Sequence, residues 1–393
     1  MLQFRLMVSV LLVLSVSILS AEEISVGAKQ VEITPLDRGI VFISPDGKGN
    51  DCSQKSPCAF IVGIKKAKAG DVVFFRGGIY SFKNYPKRRI DLKGGEKGKP
   101  IIYESYPLEK AIFDGKDFPL SAKYGGIRLI EDYTVLRNLE VRNMPSVGVK
   151  ILSNYNLVEG LNIHSNHLSG VGIYNGKDGY AVSDRGGSYN IIRNNIIHNN
   201  SDVGLRGGGY NEGGNADGIS ISCGVGNMIL NNTVYDNSDD GIDTWKSNDS
   251  LVKYNLVYNN GKGKKGNGNG IKAGGAKSAS EGLGYRAVVE RNIVYNNRSR
   301  GIDYNRGRDV VFRFNTSFKN GSVGFRASDA HNTRTESNIA VANGKAIRSQ
   351  KNDKNNSWQR KGIVTFISSD LNSSDFCRPV VRGGFEDIGV YAK

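Results

Sequence analysis

An asparagine recurs through most of this chain inside short, similar phrases, and its spacing limits what the chain can fold into. The phrases are NNIIHNN, NNTVYDN, YNLVYNN, RNIVYNN, FNTSFKN and SNIAVAN. The residues that align are Asn138, Asn195, Asn232, Asn255, Asn292, Asn315 and Asn338. Five of the six successive intervals are 23 residues (255 − 232, 315 − 292, 338 − 315) or 37 residues (232 − 195, 292 − 255). A basic period of 23 residues with insertions of 14 indicates a solenoid or a propeller.

Each phrase holds about five β-prone residues with alternating faces, and a second short strand that begins with glycine follows it. Strands this short cannot bury a face within one repeat, but stacked coils about 4.8 Å apart can. The crossover rule makes such a stack right-handed. We therefore predict an all-β fold, a single-stranded right-handed parallel β-helix with coils of about 23 residues. The recurring asparagine should face the interior at a turn.

The beginning of the chain predicts export. An apolar run, Leu6–Leu19, follows Arg5 and ends in small residues, which is the layout of a signal peptide over residues 1–21. We expect a secreted protein, extracellular or periplasmic, with no membrane attachment after cleavage. We further expect an N-terminal cap with the first coils over 22–100, including a capping helix near 59–69. The parallel β-helix that carries the active-site groove should span 101–348, and a C-terminal coil and tail should span 349–393.

The charge balance points to an acidic partner. Lysine and arginine total 53 against 38 acidic residues, which gives a net charge of +15. No nucleic-acid recognition motif is present, so for an exported protein we expect an acidic polysaccharide rather than nucleic acid. We also expect a monomer.

Two of the four cysteines are close in sequence. Cys52 and Cys58 can close a small disulfide loop in an oxidising compartment. Cys223 and Cys377 are far apart, and the sequence makes no prediction for them.

Four aspartates and one lysine stand out in the stretch from NADGISIS through SDDGIDTWKS to GNGIKAGG. Asp217 and Asp240 precede the same Gly-Ile pair and lie 23 residues apart (240 − 217), so they should occupy neighbouring coils. Counting coils also aligns an outward-facing column, because a buried apolar residue precedes each member. This column is Ser220, Asp243, Lys272, Asp303, Arg326 and Arg348.

Carboxylates held together on stacked coils repel one another unless a hard cation neutralises them, and Ca²⁺ prefers oxygen ligands. Neither zinc nor iron is favoured, because no histidine or suitably spaced cysteine lies nearby. In the alternative interpretation, the aspartates only serve turns, and Asp243, Lys272 and Asp303 form a solvated ladder of charges.

The three motifs resemble those of the family-9 polysaccharide lyases, which are secreted calcium-dependent pectate lyases on a right-handed parallel β-helix. The resemblance implies Ca²⁺ as cofactor, with Asp217, Asp239, Asp240 and Asp243 as its ligands. It implies Lys272 as the base that abstracts a proton in β-elimination from polygalacturonate or rhamnogalacturonan. Insertions at 202–214 and 261–266 depart from simple members and leave the exact substrate open.

Such a base must lose its proton, although the ordinary pKa of lysine is near 10.4. Calcium and neighbouring arginines can lower the pKa of Lys272, so we expect an alkaline activity optimum. The residues that we predict to bind substrate are Lys246, Arg300, Asp303, Arg326 and Arg348. The aromatic residues Tyr174, Trp245 and Tyr304 can stack on sugars, but shielding of the β-helix is their more common role.

Two other functions remain open at this stage. Asp217, Asp239 and Asp240 also suit a polygalacturonase-like hydrolase that works with two carboxylates. Such hydrolases carry Gly-His-Gly one coil further on, where this chain has GNGIK. The second alternative is a non-catalytic polysaccharide-binding β-helix, because fold does not fix function.

Overall fold

The computed structural model describes residues 38–82, 89–120, 126–174, 187–205, 212–276, 282–348, 352–380 and 384–392. The predicted signal peptide, 1–21, lies outside these ranges. None of the helices within them is both long and apolar enough to cross a membrane.

The chain winds through three parallel sheets of 12, 10 and 10 strands, and each complete coil contributes one strand to each sheet. The first sheet contains Ile40–Ile43, Val72–Phe75, Ile101–Ser105, Thr134–Arg137, Leu157–Glu159, Ile191–Arg193, Met228–Leu230, Leu251–Lys253, Val288–Glu290, Val311–Arg313, Arg334–Glu336 and Asp353–Lys354. The second contains Ile90–Leu92, Ile127–Leu129, Val149–Ile151, Val171–Ile173, Ile219–Ile221, Ile242–Asp243, Ile271–Lys272, Ile302–Asp303, Val323–Arg326 and Lys345–Arg348. The third contains Gly78–Ser81, Ala111–Asp114, Glu140–Arg142, Asn162–His164, Ile196–His198, Thr233–Tyr235, Leu256–Tyr258, Ile293–Tyr295, Thr316–Phe318 and Ile339–Val341. This arrangement confirms the predicted parallel β-helix.

The core is a column of aliphatic side chains that runs the length of the coils. In the second sheet, Ile219, Ile242, Ile271 and Ile302 stack in register and are fully buried. The residue after each isoleucine points to the outer face, because side chains alternate along a strand. Short strands therefore place one residue per coil, usually charged or polar, on the outer face of the sheet.

A short asparagine ladder, Asn156, Asn190 and Asn227, lies at the corner between the second and first sheets. Two longer ladders lie at the other two corners. In both ladders the backbone N–H and Nδ2 of one asparagine donate to Oδ1 of the next. One ladder comprises Asn195, Asn232, Asn255, Asn292, Asn315, Asn338 and Asn356. The other comprises Asn166, Asn200, Asn237, Asn260, Asn297, Asn320 and Asn343. The recurring asparagines thus face inward as predicted.

The alignment of Asn138 with these residues is wrong by one position. The residue in register with Leu161 and Asn195 is Leu139. Asn138 instead adopts a left-handed backbone (φ 57°) at the preceding corner position, where Asn194 has the same conformation. Asparagine tolerates this region of backbone space better than most residues, so the two kinds of asparagine look alike in sequence.

The N-terminal end of the β-helix is covered by a short α-helix, Phe60–Lys66, within the predicted range 59–69. Phe60 stacks on Phe75 with ring centroids 5.7 Å apart and meets Phe113 edge-on at 5.7 Å. The predicted disulfide between Cys52 and Cys58 is formed beside this helix, and both residues are buried. The helix and the loop together close the apolar interior at this end.

At the other end, two 3₁₀-helices, Asp329–His331 and Ser357–Gln359, interrupt the coils. Phe376 from the C-terminal segment packs edge-on against Tyr295 of the third sheet at 5.1 Å. Cys223 and Cys377 are free thiols in the structure, and both are buried.

We predict that Asn255→Ala destabilises the protein by about 2–4 kcal/mol, because it leaves buried polar groups of the preceding coil without partners. Oδ1 of Asn255 accepts the backbone N–H of Asn232 at 2.9 Å, and its Nδ2 donates to Ile229 O at 2.9 Å. Thermal and urea denaturation measure the loss. The exposed Asn372→Ala variant is the control and should change stability by less than about 0.5 kcal/mol. Equal effects of the two substitutions would contradict a stabilising ladder.

Candidate active site and metal centre

The outer face of the second sheet carries the predicted column in the predicted register. Ser220 pairs with Asp243, Asp243 with Lys272, and Lys272 with Asp303. Asp303 pairs with Arg326, and Arg326 with Arg348. The counting of coils through two insertions is therefore correct.

A second column, at the corner that enters this sheet, carries the remaining ligand candidates. The backbone N–H of Asp240 donates to Oδ1 of Asp217 at 3.2 Å. The N–H and Nδ2 of Asn269 donate to Oδ1 of Asp240 at 2.6 and 2.9 Å. Each aspartate of this pair thus uses one oxygen in the backbone network, and its second oxygen is left for the site.

The aspartates form a compact and buried cluster. Asp217, Asp239 and Asp240 each place a carboxylate oxygen within 4.8 Å of the others. Their exposed fractions are 5%, 4% and 0%, and that of Asp243 is 8%. Asp239 also accepts a hydrogen bond from the backbone N–H of Asn267.

Burial and mutual repulsion raise the pKa values of this cluster. Burial, with the charges of Asp239 and Asp243, holds the pKa of Asp217 well above its usual range. Burial and the neighbouring Asp240 raise the pKa of Asp239 to about 8. Burial raises the pKa of Asp243 to about 6, although Lys272 opposes the rise. Binding of a cation to this cluster would therefore release protons.

Lys272 reaches into the cluster from the next coil. Its Nζ lies 2.6 Å from Oδ2 of Asp243 and 3.0 Å from Oδ2 of Asp240. Burial alone would lower the pKa of Lys272, but the attraction of Asp243, Asp240 and Asp217 raises it well above the ordinary value. In this structure the ammonium group of Lys272 forms ion pairs with Asp240 and Asp243 and so partly offsets their negative charge.

The cluster fits a single hard cation. Two oxygens bound to one Ca²⁺ at about 2.4 Å lie at most about 4.8 Å apart, which is the spread of the three carboxylates. The buried Oδ1 of Asp243 has no hydrogen-bond partner, so an acceptor in the cluster remains unsatisfied. All the donor atoms are oxygens, as Ca²⁺ requires.

The two insertions contact each other beside the cluster. The first, 202–214, is described at its ends, 202–205 and 212–214, and the second, 261–266, throughout. Lys265 bonds Glu212 through both its backbone and its side chain, each at 3.0 Å. Gly263 donates to Ser238 O at 2.8 Å and accepts from the Arg298 guanidinium. The second insertion is therefore fixed to the coil that carries Asp239.

The basic residues beyond Lys272 are organised by Asp303, which is 1% exposed. Its Oδ2 lies 3.0 Å from Arg300 Nη1 and 3.2 Å from Arg326 Nη1. The carboxylate of Asp303 is therefore engaged in holding two arginines rather than open to solvent. Arg348 is exposed at the end of the column, whereas Lys246 is only 7% exposed.

The aromatic candidates lie at different points of this face. Tyr304 is 7% exposed and lies beneath Arg326, whose guanidinium carbon is 5.2 Å from the ring centroid. Trp245 packs on Gly275, where an added Cβ would come within 2.9 Å of the indole ring. Tyr174 covers Gly172 on the N-terminal side of the cluster, where an added Cβ would meet its ring at 2.1 Å.

Sequence reasoning missed Asn269 as a member of the site, although a signal was available. Asn269 precedes Gly270 and Ile271 just as Asp217 and Asp240 precede their own Gly-Ile pairs. Extending this comparison by one coil would have placed it in the column of the two aspartates. The contact between the two insertions has no comparable signal, because neither insertion repeats.

The fold and this face together define a right-handed parallel β-helix protein with a buried acidic cluster and an adjacent lysine. A family model described as "Pel9A-like, right handed beta helix region" matches residues 41–355. The chain belongs to this Pel9A-like right-handed β-helix family.

Individual relatives agree with this assignment. Pectate lyase PEL9 of Emericella nidulans is 26% identical over 368 residues, covering 81% of this chain and 83% of its own. Pectate lyase L of Paenibacillus polymyxa is 23% identical over 383 residues, covering 91% and 81% respectively. The crystal structure of pectate lyase Pel9A superposes with a TM-score of 0.70 at 23% identity, covering 90% of this chain and 91% of that one. The predicted resemblance to this family is confirmed.

We predict that the chelated protein loses stability as the pH rises from about 4 to about 8. A carboxyl group whose pKa is raised on folding stabilises the protein below its unfolded pKa, and that contribution is lost as the pH passes the folded value. For Asp239 these limits are 3.8 and about 8. Thermal denaturation in excess chelator across this range measures the slope.

Asp239→Asn should flatten this pH dependence, because the amide cannot titrate. Asp46→Asn, at an exposed position, should leave it as in the wild type. The assignment of the slope to the cluster is wrong if Asp239→Asn retains the full dependence.

Proposed function

We propose that this protein is a secreted pectate lyase that cleaves acidic pectic polysaccharide by calcium-assisted β-elimination, with Lys272 as the base. The observation that carries the proposal is the buried lysine in direct contact with a compact carboxylate cluster on one outer face. The enzyme class predicted from the sequence, a polysaccharide lyase of the pectate lyase type, is confirmed by the curated relatives. The proposal goes beyond this enzyme class in naming the substrate, the Ca²⁺ cofactor and the base.

Asp217, Asp239, Asp240 and Asp243 are the proposed calcium ligands. Bound Ca²⁺ would neutralise these carboxylates and act as a Lewis acid toward the uronate carboxylate of the substrate. Removing the C5 proton next to a carboxylate concentrates negative charge, so this chemistry suits the reaction. The orphaned Oδ1 of Asp243 and the spread of the cluster support the assignment.

Lys272 contacts Asp240 and Asp243 directly, and its environment suits a base once a cation neutralises these carboxylates. The attraction of the aspartates raises its pKa in the structure, whereas its burial acts in the opposite direction. With the carboxylates neutralised, burial and positive charge remain and favour the neutral amine. The amine then takes the C5 proton, and the C4–O bond breaks with its electron pair on the oxygen. That oxygen takes a proton from solvent and becomes a hydroxyl of one fragment, and the other fragment keeps a 4,5-unsaturated uronate end.

The basic side chains of the same face are proposed to bind neighbouring carboxylates of the polymer. Arg300 and Arg326 are held side by side by Asp303, and Arg348 extends the row by one coil. Lys246 follows Asp243 by three residues, and its backbone N–H donates to Gly275 O at 2.8 Å. The net charge of +15 attracts such a polyanion from a distance.

The spread of the cluster favours a shared cation over a hydrolase. Glycoside hydrolases hold their two carboxyl groups at least about 5 Å apart to admit the sugar or a water. Asp217, Asp239 and Asp240 lie closer than that, with oxygens within 4.8 Å.

Export is proposed from the pattern of residues 1–21.

We predict a calcium-dependent rise of ultraviolet absorbance when polygalacturonate or rhamnogalacturonan is digested, because the unsaturated product absorbs. Chelator should abolish the rise, and Lys272→Ala should lower kcat by at least about 10²-fold. Lys361→Ala, at an exposed position away from the cluster, is the control and should retain full activity. The activity should be highest at alkaline pH.

New reducing ends without absorbance would identify a hydrolase and contradict the proposal. Binding of acidic glycan without any cleavage would identify a recognition module. Full activity of Lys272→Ala would remove the lysine from the role of base.

A further inference from the structure

The outer face of the second sheet continues on the N-terminal side of the cluster, where no role has been assigned. In register from the cluster outward, Asp243 is followed by Ser220, Gly172 and Lys150. Two consecutive coils therefore carry small residues between the cluster and the next charged side chain. Three coil steps of about 4.8 Å place Lys150 roughly 14 Å from Asp243 along the axis.

Lys150 is a partly buried cation without a carboxylate partner among the described residues. Its neighbour in the column is Arg128, another cation. Burial and the charge of Arg128 lower the pKa of Lys150. Most other cations of this face are paired, so Lys150 differs from them in being partly desolvated and uncompensated.

Arg128 does not share this property, since Asp91 lies 3.1 Å from its Nε. Asp91 also contacts Arg89 at 3.1 Å. The next two coils outward thus hold one carboxylate, Asp91, that is shared by two arginines. Among the described residues of this half of the face, Lys150 is thus the cation that has no carboxylate within ion-pair distance.

Tyr174 supplies an aromatic surface next to this lysine. Its ring lies over Gly172, and Nζ of Lys150 is 5.1 Å from the ring centroid. Glycine at 172 is what admits the ring, because an added Cβ would meet Cε2 at 2.1 Å. The ring is also packed against Val147, Leu168 and Leu205, which fix its position.

We propose that Lys150 and Tyr174 form a distal subsite for one uronate unit of the substrate chain, about three coils before the acidic cluster. The ammonium binds the carboxylate, while the ring offers an apolar face to the C–H groups of the same sugar. Gly172 and Ser220 are small, so they leave room for the polymer on the outer face between the subsite and the cluster. The subsite rests on the proposed function, because it assumes an acidic polymer that lies along the axis of the β-helix.

The test is the dependence of kinetics on substrate length. Oligogalacturonates of increasing length are digested by the wild type, Lys150→Gln and Lys150→Arg. For Lys150→Gln, KM should rise about tenfold once the oligomer reaches the subsite, with kcat unchanged and no effect on shorter oligomers. Lys150→Arg, which keeps the charge, should recover most of the affinity.

Two further variants separate the ring from the charge and guard against misfolding. Gly172→Ala should displace the ring of Tyr174 and raise KM for the long oligomers while Lys150 remains. Lys361→Gln, at an exposed position elsewhere, should change no kinetic constant. Melting temperatures confirm that each variant is folded.

A KM effect of Lys150→Gln that is equal for all lengths, or absent for the polymer, would overturn the subsite. Failure of the proposed function is separately visible, because calorimetry measures oligogalacturonate binding without turnover. A wild type that binds without cleaving, with tenfold weaker binding by Lys150→Gln, would overturn the lyase and retain the subsite. Equal binding by wild type and Lys150→Gln would overturn the subsite whatever the reaction.

Discussion

The hydrogen bond from one asparagine to the equivalent asparagine of the next coil is the interaction on which this structure depends. A coil of short strands has three corners, and each corner turns backbone groups toward an interior that water does not reach. At two corners the ladders satisfy these groups with buried side chains such as Asn255 and Asn297. Because each bond joins adjacent coils, the ladders also keep the three sheets in register across insertions.

The proposed active site is a modified form of the same device. In a second column at the corner that contains Asn237, Asp217 and Asp240 stand where the next coil has Asn269, and a carboxylate can only accept hydrogen bonds. The direction of the bonds is accordingly reversed. In the asparagine ladders the earlier coil donates to the later one, whereas Asp240 and Asn269 donate backward to the preceding coil. The backbone stays satisfied, and negative charge accumulates where a cation can use it. The site therefore requires little change in the backbone of the coils, but it destabilises the fold through repulsion between neighbouring carboxylates.

Much of this could be predicted from the sequence, because a solenoid turns spacing into position. Once the period was recognised, the column from Ser220 to Arg348 followed by counting, and the structure has that register. The misplaced Asn138 shows the limit of counting, since two adjacent corner positions both accept asparagine for different reasons. What spacing cannot supply is the third dimension of irregular segments. Two contacts illustrate this: the hydrogen bond from Arg298 to Gly263 O, and the packing of the Tyr174 ring over Gly172. Both join residues that meet only after the coils have stacked.

The helix Phe60–Lys66 has a consequence for how the molecule behaves among its own copies. A parallel β-helix presents unpaired strand edges and a cross-section of its core at each open end, and such edges can template addition of another chain. Here the aromatic rings of Phe60, Phe75 and Phe113 fill the N-terminal opening under the helix, and the Cys52–Cys58 loop fastens it. The cap therefore hinders a strand of another molecule from pairing with the first coil. It ends the stack of coils at this end of the β-helix and so opposes end-to-end association.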